Sequence, residues 1–211
     1  MNNINDIYNF LLFIISKERG AFITVDEAMA CLDSAQMELF EYYFKEYGET
    51  QKVHDALSVF KTRVQFNAVG GVVDYPADYL HLLAGVYTVT GSTVNPVVFV
   101  NEDELPDALT SQLRPVTTAN PIALDYASGF QIYPQTTQIG FYTYLRRPAT
   151  PVLAYTQSGR TLTYNANAST QLEFSAAYIN NIMARALKPF GINLSEADVQ
   201  QYALTQQEIT K

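Results

Sequence analysis

The feature that most constrains this chain is a change of period along its 211 residues. Both ends carry apolar residues in steps of three and four, the repeat of a helix with one buried face. The stretch between them alternates every second residue and is broken by glycine and proline, the pattern of short strands. At the start, residues 3–17 read as a helix stopped by Gly20. Thr24-Val25-Asp26-Glu27 then has the form of a capping box, in which Thr24 accepts from the Glu27 amide and Glu27 reaches back. Ala28, Leu32, Ala35, Leu39 and Tyr42 or Tyr43 follow on one face, so a long helix is expected over 25–47, with Gly48 as its stop. A third helix is expected from Lys52 to Arg63.

Val64–Val73 mixes β-branched residues with Gly70-Gly71 and reads as a hairpin or bulge. Further strands are expected at Val86–Val89, Val97–Val100, Ile122–Tyr126, Phe130–Tyr133 and Ile139–Leu145. In the last, Ile139, Phe141, Thr143 and Leu145 alternate with Gly140, Tyr142 and Tyr144. Val152–Tyr155 and Thr161–Tyr164 flank a Gly-containing turn and suggest one more hairpin. Helical spacing returns at Ile179, Ile182, Met183, Ala186, Leu187 and Phe190. Ser195 with Asp198 opens a last short helix carrying Val199, Tyr202, Ala203 and Ile209. The expected fold is therefore α+β: residues 1–63 and 170–211 pair as a helical bundle, and 64–169 form an inserted antiparallel β domain.

Composition narrows the function classes. Hydrophobic residues are 48 % and charged residues only 16 %, below the roughly 25 % of ordinary domains, which argues against disorder and for a covered surface. The aromatic residues are 15 Tyr and 12 Phe, with no Trp, and Tyr is favoured where a ring is buried against a partner while its hydroxyl stays bonded. A net charge of −8, with basic residues clustered only at Lys17-Glu18-Arg19 and Arg146-Arg147, disfavours tight nucleic-acid binding. The apolar run Ile7–Ile15 is too short to span a membrane, which takes about 20 residues, and lacks the flanks of a secretory signal. It reads as a buried or partner-facing helix, and no membrane association is expected.

Catalytic patterns are sparse. The single Cys31 falls in an apolar helical register and excludes an intramolecular disulfide or a thiolate metal knuckle. His54 and His81 stand apart, with no HxxxH, HExxH, P-loop or GxGxxG. Glu102-Asp103-Glu104 with Asp107 is the densest acidic group and reads as the acidic first turn of a helix. Asn167-Ala168-Ser169 matches a glycosylation sequon, which means little without secretion. No catalytic, cofactor or metal residues are assigned, and an enzyme is not expected.

The order of elements, with several short segments, resembles a known class. These segments are Phe22-Ile23-Thr24-Val25-Asp26-Glu27 leading into Asp33–Phe40, Tyr75-Pro76-Ala77-Asp78-Tyr79-Leu80-His81-Leu82, Asn120-Pro121-Ile122-Ala123 with Gly129–Pro134, Tyr144-Leu145-Arg146-Arg147-Pro148, and Phe190–Leu194. The chain is similar in layout to tailed-phage head-to-tail connectors: the tail-tubular-protein-A adaptors of short-tailed phages, and most of all the ring proteins of crAss-like phages. The resemblance implies a structural virion protein at the portal vertex, made in the host cytoplasm. It implies a dodecameric ring that docks on the portal protein, meets further tail or ring proteins and extends the DNA channel. DNA would pass through an acidic lumen without specific binding. By the same analogy the 7–15 helix or the last dozen residues dock on the portal. Tyr142, Tyr144, Arg146, Arg147, Tyr202 and Ile209 are the candidate interface residues. The alternative is a carbohydrate- or protein-binding β module of a phage tail, with Tyr133, Tyr142, Tyr144 and Tyr155 as stacking platforms.

Overall fold

A computed structural model describes residues 3–48, 50–83, 85–158, 161–195 and 197–202. In chain order these form α1 (Ile4–Arg19), α2 (Val25–Lys45), α3 (Gln51–Leu57), a 3-10 turn (Ser58–Phe60), β1 (Lys61–Ala68), β2 (Val72–Asp74), β3 (Tyr79–Leu82), β4 (Tyr87–Thr90), β5 (Thr93–Pro96), β6 (Val98–Phe99) and α4 (Leu105–Thr110). Then come β7 (Ile122–Tyr126), β8 (Gly129–Tyr133), β9 (Gln138–Arg146), β10 (Tyr155–Ser158), β11 (Thr161–Tyr164), a 3-10 turn (Ala166–Ala168), α5 (Ala176–Ala186) and a 3-10 turn (Lys188–Phe190). Residues 197–202 are helical. The fold is α+β, and the chain divides into two compact units: residues 1–59 with 148–211, and residues 60–147. The inserted unit closes at Arg147, so 148–169, expected with the β domain, group with the helices, hairpin β10–β11 included.

The helical unit is built as its pattern dictates. Asn3 caps α1 by accepting from the Asn5 amide, and Gly20 ends it at φ 60°, the left-handed geometry only glycine takes without strain. The Thr24–Glu27 capping box is present in both directions. Ile7, Tyr8, Phe10, Leu11, Ile14 and Ile15 are buried, so the run expected to be buried or partner-facing is largely covered by its own chain. The two ends of the sequence are stitched together here. The Ile4 amide donates to Gln171 Oε1 at 2.6 Å, Arg19 donates to the Gly191 carbonyl at 2.6 Å, and Gln36 Nε2 donates to the Ala149 carbonyl at 2.9 Å. Ser195 and Asp198 cap the last helical turn reciprocally, as their spacing predicts.

Two expectations are corrected. The third helix ends at Leu57 instead of Arg63, because 61–68 pair along β9 from Lys61↔Leu145 to Ala68↔Gln138. Eight residues of strand ladder outweigh a weak local helix preference. The strand expected at Val152–Tyr155 begins at Tyr155, and Val152 makes one isolated bridge to Thr170.

The inserted unit holds two sheets. One has the order β1-β9-β4-β5, with β3 also beside β9; the other has the order β2-β8-β7-β6. All pairs are antiparallel except β6–β7. A parallel pair needs a crossover of a dozen or more residues, and 100–121 provide it as an arm containing α4. The core is aromatic: Phe66, Phe130, Ile132, Tyr142 and Tyr144 pack with Val73, Val86, Val97, Ala68 and Ala123. Phe130 meets Phe66 and Tyr142 edge-on, both at 89°, an arrangement that matches ring edges to ring faces. Gly140 is required inside this core. A Cβ there would lie 2.2 Å from the Tyr87 carbonyl oxygen and 2.4 Å from the Phe66 ring.

Candidate interaction surface

The densest chemistry of the inserted unit lies at its tyrosines. Tyr75-Pro76-Ala77-Asp78-Tyr79 turns the chain between β2 and β3. Tyr75 stacks on Tyr79 with ring centres 3.7 Å apart and planes 4° off parallel. Tyr75 donates to Asp125 Oδ1 at 2.6 Å, and Tyr144 donates to Asp78 Oδ1 at 2.9 Å. Burial first, then the bond to Asp78, pushes the Tyr144 hydroxyl up to about 12. Burial and Asp125 push Tyr75 up further still. Both hydroxyls therefore stay protonated donors at neutral pH, each feeding a carboxylate acceptor. This is a clamp on a corner: the segment that carried part of the family resemblance fastens the turn to β7 and β9.

The same clamp corrects two candidate residues. Tyr142 and Tyr144 are 1 % and 2 % exposed and belong to the core, so neither is an interface residue or a stacking platform. Their strand presents the opposite face outward. The register gives that face directly: Arg63↔Thr143, Gln65↔Phe141 and Asn67↔Ile139 on one side of β9, then Tyr87↔Phe141 and Val89↔Ile139 on the other, then Tyr87↔Pro96 and Val89↔Val94. Directly opposed residues share a face. Ile139, Phe141, Tyr87, Val89, Val94 and Pro96 thus form one apolar field across three strands. Ile139 and Val94 are 46 % and 59 % exposed; Phe141, Tyr87 and Val89 are half-buried. At its β1 margin the Arg63 guanidinium lies 4.7 Å from the Phe141 ring centre and 5.6 Å from that of Tyr87, and it donates to the Tyr87 hydroxyl. Such cation–π contact packs the exposed arginine against the field.

The remaining candidates are scattered. Arg146 packs over Phe60 at 5.6 Å, and Arg147 is exposed at the end of β9. Tyr202 belongs to the other unit, donates to Glu18 and sits beneath Lys17 Nζ at 4.9 Å. Ile209 lies outside the described residues, as do the last nine residues of the expected portal-docking segment. Tyr155 donates to Asn5 Oδ1 at 3.0 Å. His54 packs against Tyr47 with ring centres 4.5 Å apart, and His81 is half-buried where β3 shifts register along β9. Burial, and then the charge of Glu27, push the Cys31 thiol up, away from thiolate reactivity. Among the described residues no group of three His, Cys, Asp or Glu side chains gathers as a metal site, and no helix is long and apolar enough to cross a membrane.

The arm completes the surface. Three carboxylates, Glu102, Asp103 and Glu104, lead into α4, and Asp107 lies in its first turn. No residue of α4 is buried. Leu109 is 44 % exposed and Leu113 fully exposed. The arm's return is pinned by Thr117 and Asn120, which exchange backbone hydrogen bonds at 3.4 and 3.0 Å. Beneath it, Val98, Val116, Ile122 and Ala108 line a hollow of about 180 Å³. The alternation along β9 and the acids of the arm are plain in the sequence, but nothing local marks Ile139, Phe141, Tyr87, Val94, Arg63 or Leu113 as one surface. The one available signal was Gly140, since a glycine in the alternation marks the face that backbone and rings approach closely.

No protein-family model and no curated protein matches the chain.

Proposed function

We propose that this chain is a structural subunit of a tailed-phage virion, an adaptor whose copies form a ring on the portal and carry the DNA channel toward the tail. One observation carries the reading: a three-strand apolar field with an arginine margin that the chain itself leaves partly uncovered, most of all at Ile139 and Val94. Soluble proteins seldom expose contiguous apolar ground of that kind unless something covers it. Ring contacts join two different surfaces of identical subunits, so each chain must carry two sticky regions. The layout, helices from both ends of the chain with an inserted β unit, supports the adaptor resemblance read from the sequence. A net charge of −8 per chain suits a lumen that repels phosphate and lets DNA slide. The portal, neighbouring tail or ring proteins and copies of itself are the proposed partners, and the role is non-catalytic. Dodecameric copy number follows from matching the portal.

The test is to mix the purified chain with its portal ring and image the complex by electron microscopy. A ring of this chain seated coaxially on the portal is expected, with the same density at the vertex of intact particles. A chain that stays monomeric beside the portal and is missing from purified particles overturns the reading.

A further inference from the structure

We infer that the 100–121 arm of one copy seats on the apolar sheet face of a second copy, with Leu109 and Leu113 against Ile139, Phe141 and Val94 and the arm's carboxylates beside Arg63. This deepens the ring reading and rests on it, because it names the contact through which copies join.

Three observations lead to it. The first is charge segregation within residues 60–147. Of the unit's five Lys and Arg residues, Lys61, Arg63, Arg146 and Arg147 sit at one end of the β1–β9 pair, where Lys61 opposes Leu145 and Arg63 opposes Thr143, and the fifth, Arg114, is on the arm. Of its seven carboxylates, Glu102, Asp103, Glu104 and Asp107 sit on the arm. A chain of charge −8 repels its own copies on average, so a self-contact must be made where cations concentrate, and the arm is the matching acidic element. The second is apolar complementarity. Leu113 is fully exposed on a segment whose base is fixed by the Val100 amide donating to the Ala123 carbonyl at 2.9 Å, so a well-anchored arm offers its leucines to solvent. The sheet face offers the matching flat apolar ground. The third is that the two surfaces differ. A contact between them is heterologous, which leaves a free arm and a free face at the ends of any short chain of subunits and closes only as a ring or continues as a filament.

The experiment places a benzophenone amino acid at Leu113 of the full-length chain, where full exposure means the substitution disturbs no packing. Equal parts of this variant and isotopically heavy wild-type chain are assembled, alone at rising concentration and with the portal, then irradiated and mapped by mass spectrometry. Cross-links from light Leu113 to heavy 87–96 or 139–143 are expected. In parallel, Leu113→Glu and Val94→Glu, both at exposed positions, are expected to keep a wild-type circular dichroism spectrum and weaken self-association at least about tenfold. Arg63→Glu should weaken it as well, and mixing with Glu102→Lys/Glu104→Lys chains should recover part of the loss. If the chain assembles but Leu113 cross-links to the portal, to the helical unit or to a bound glycan, the arm-on-sheet contact is wrong while the adaptor reading stands. If the wild type stays monomeric both alone and with the portal, the adaptor reading falls and the contact falls with it.

Discussion

The helices of the helical unit and the strands of the inserted β unit place apolar residues differently, although Phe22 between α1 and α2 is 77 % exposed. In the helical unit the apolar stripes of α1, α2 and α5 turn inward, and Ile4, Phe10, Ile14, Leu32, Leu39, Phe40 and Ile182 are fully or almost fully buried. The β unit fills its interior with rings and still places Val69, Val72, Val94, Leu109, Leu113 and Ile139 on the outside. A helix has one core-facing stripe, so its surplus positions can be polar. A strand has two faces, and when both are apolar only one can meet the chain's own core. The surplus is spread over the β unit: Val94 and Ile139 lie on the sheet that carries β9, Val72 on the other sheet, and Leu109 and Leu113 on the arm.

The largest effects should separate the aromatic core from the outer face of β9. Phe130→Ala, which empties the aromatic core, is expected to cost about 3–5 kcal/mol in chemical denaturation. Ile139→Ser, on the outer face of a neighbouring sheet, should cost under about 1 kcal/mol, because that side chain is already 46 % exposed. Equal losses would mean that the outer face is as tightly packed as the inner one, and the contrast between faces would disappear.

Gly140→Val comes next. Its Cβ would meet the Tyr87 carbonyl and the Phe66 ring at 2.2 and 2.4 Å, and the backbone cannot retreat without opening the β4–β9 ladder. A loss of about 3 kcal/mol is expected, measured by thermal melting against Gln65→Val on the exposed face of the neighbouring strand, which should melt near the wild type.

How much of this was legible depends on whether the signal was local. The Thr24–Glu27 box, the Gly20 stop and the Ser195–Asp198 cap were readable because each is settled within four residues. The α+β order followed from period alone. Which face of β9 points inward has one local mark, Gly140; otherwise alternation is symmetric and the choice is made by partners distant in sequence. Tyr144 goes inside, where Asp78, 66 residues earlier, accepts its hydrogen bond, and Phe141 stays outside beside Gln65 and Tyr87. Tyrosine composition pointed toward a surface, yet two of the tyrosines expected there, Tyr142 and Tyr144, are core residues. The end of α3 failed for the same reason, since pairing with β9 is decided some eighty residues away.

A smaller effect probes the clamp. Tyr144→Phe deletes the hydroxyl and leaves Asp78 without that donor, for a loss of about 1–2 kcal/mol near pH 7. The pH dependence has a definite sign. The Tyr144 pKa rises from 10.0 in the unfolded chain to about 12 in the folded one, so the stability tied to its proton is fully present below pH 10 and is lost as pH climbs toward about 12. Denaturation midpoints measured from pH 8 to 11 should fall more steeply for the wild type than for Tyr144→Phe. Parallel curves would show that the hydroxyl is not held by the clamp.

The smallest effect belongs to the helical unit and tests whether charge matters there at all. Glu38 on α2 pairs with Arg185 on α5, and Lys188 Nζ lies 3.6 Å from the same carboxylate. Glu38 is half exposed, so water and salt screen the pair, while Arg185 keeps a second bond to Asn181 Oδ1 at 2.7 Å. The two helices also meet through Tyr43 and Tyr178, edge to face at 5.5 Å. Glu38→Gln should therefore cost under about 1 kcal/mol, and half-molar salt should remove most of that difference. A larger, salt-resistant loss would show that α2 and α5 are joined by charge more than by packing. The helical unit would then depend, as the arm-on-sheet contact of the β unit is inferred to, on where its few ions sit.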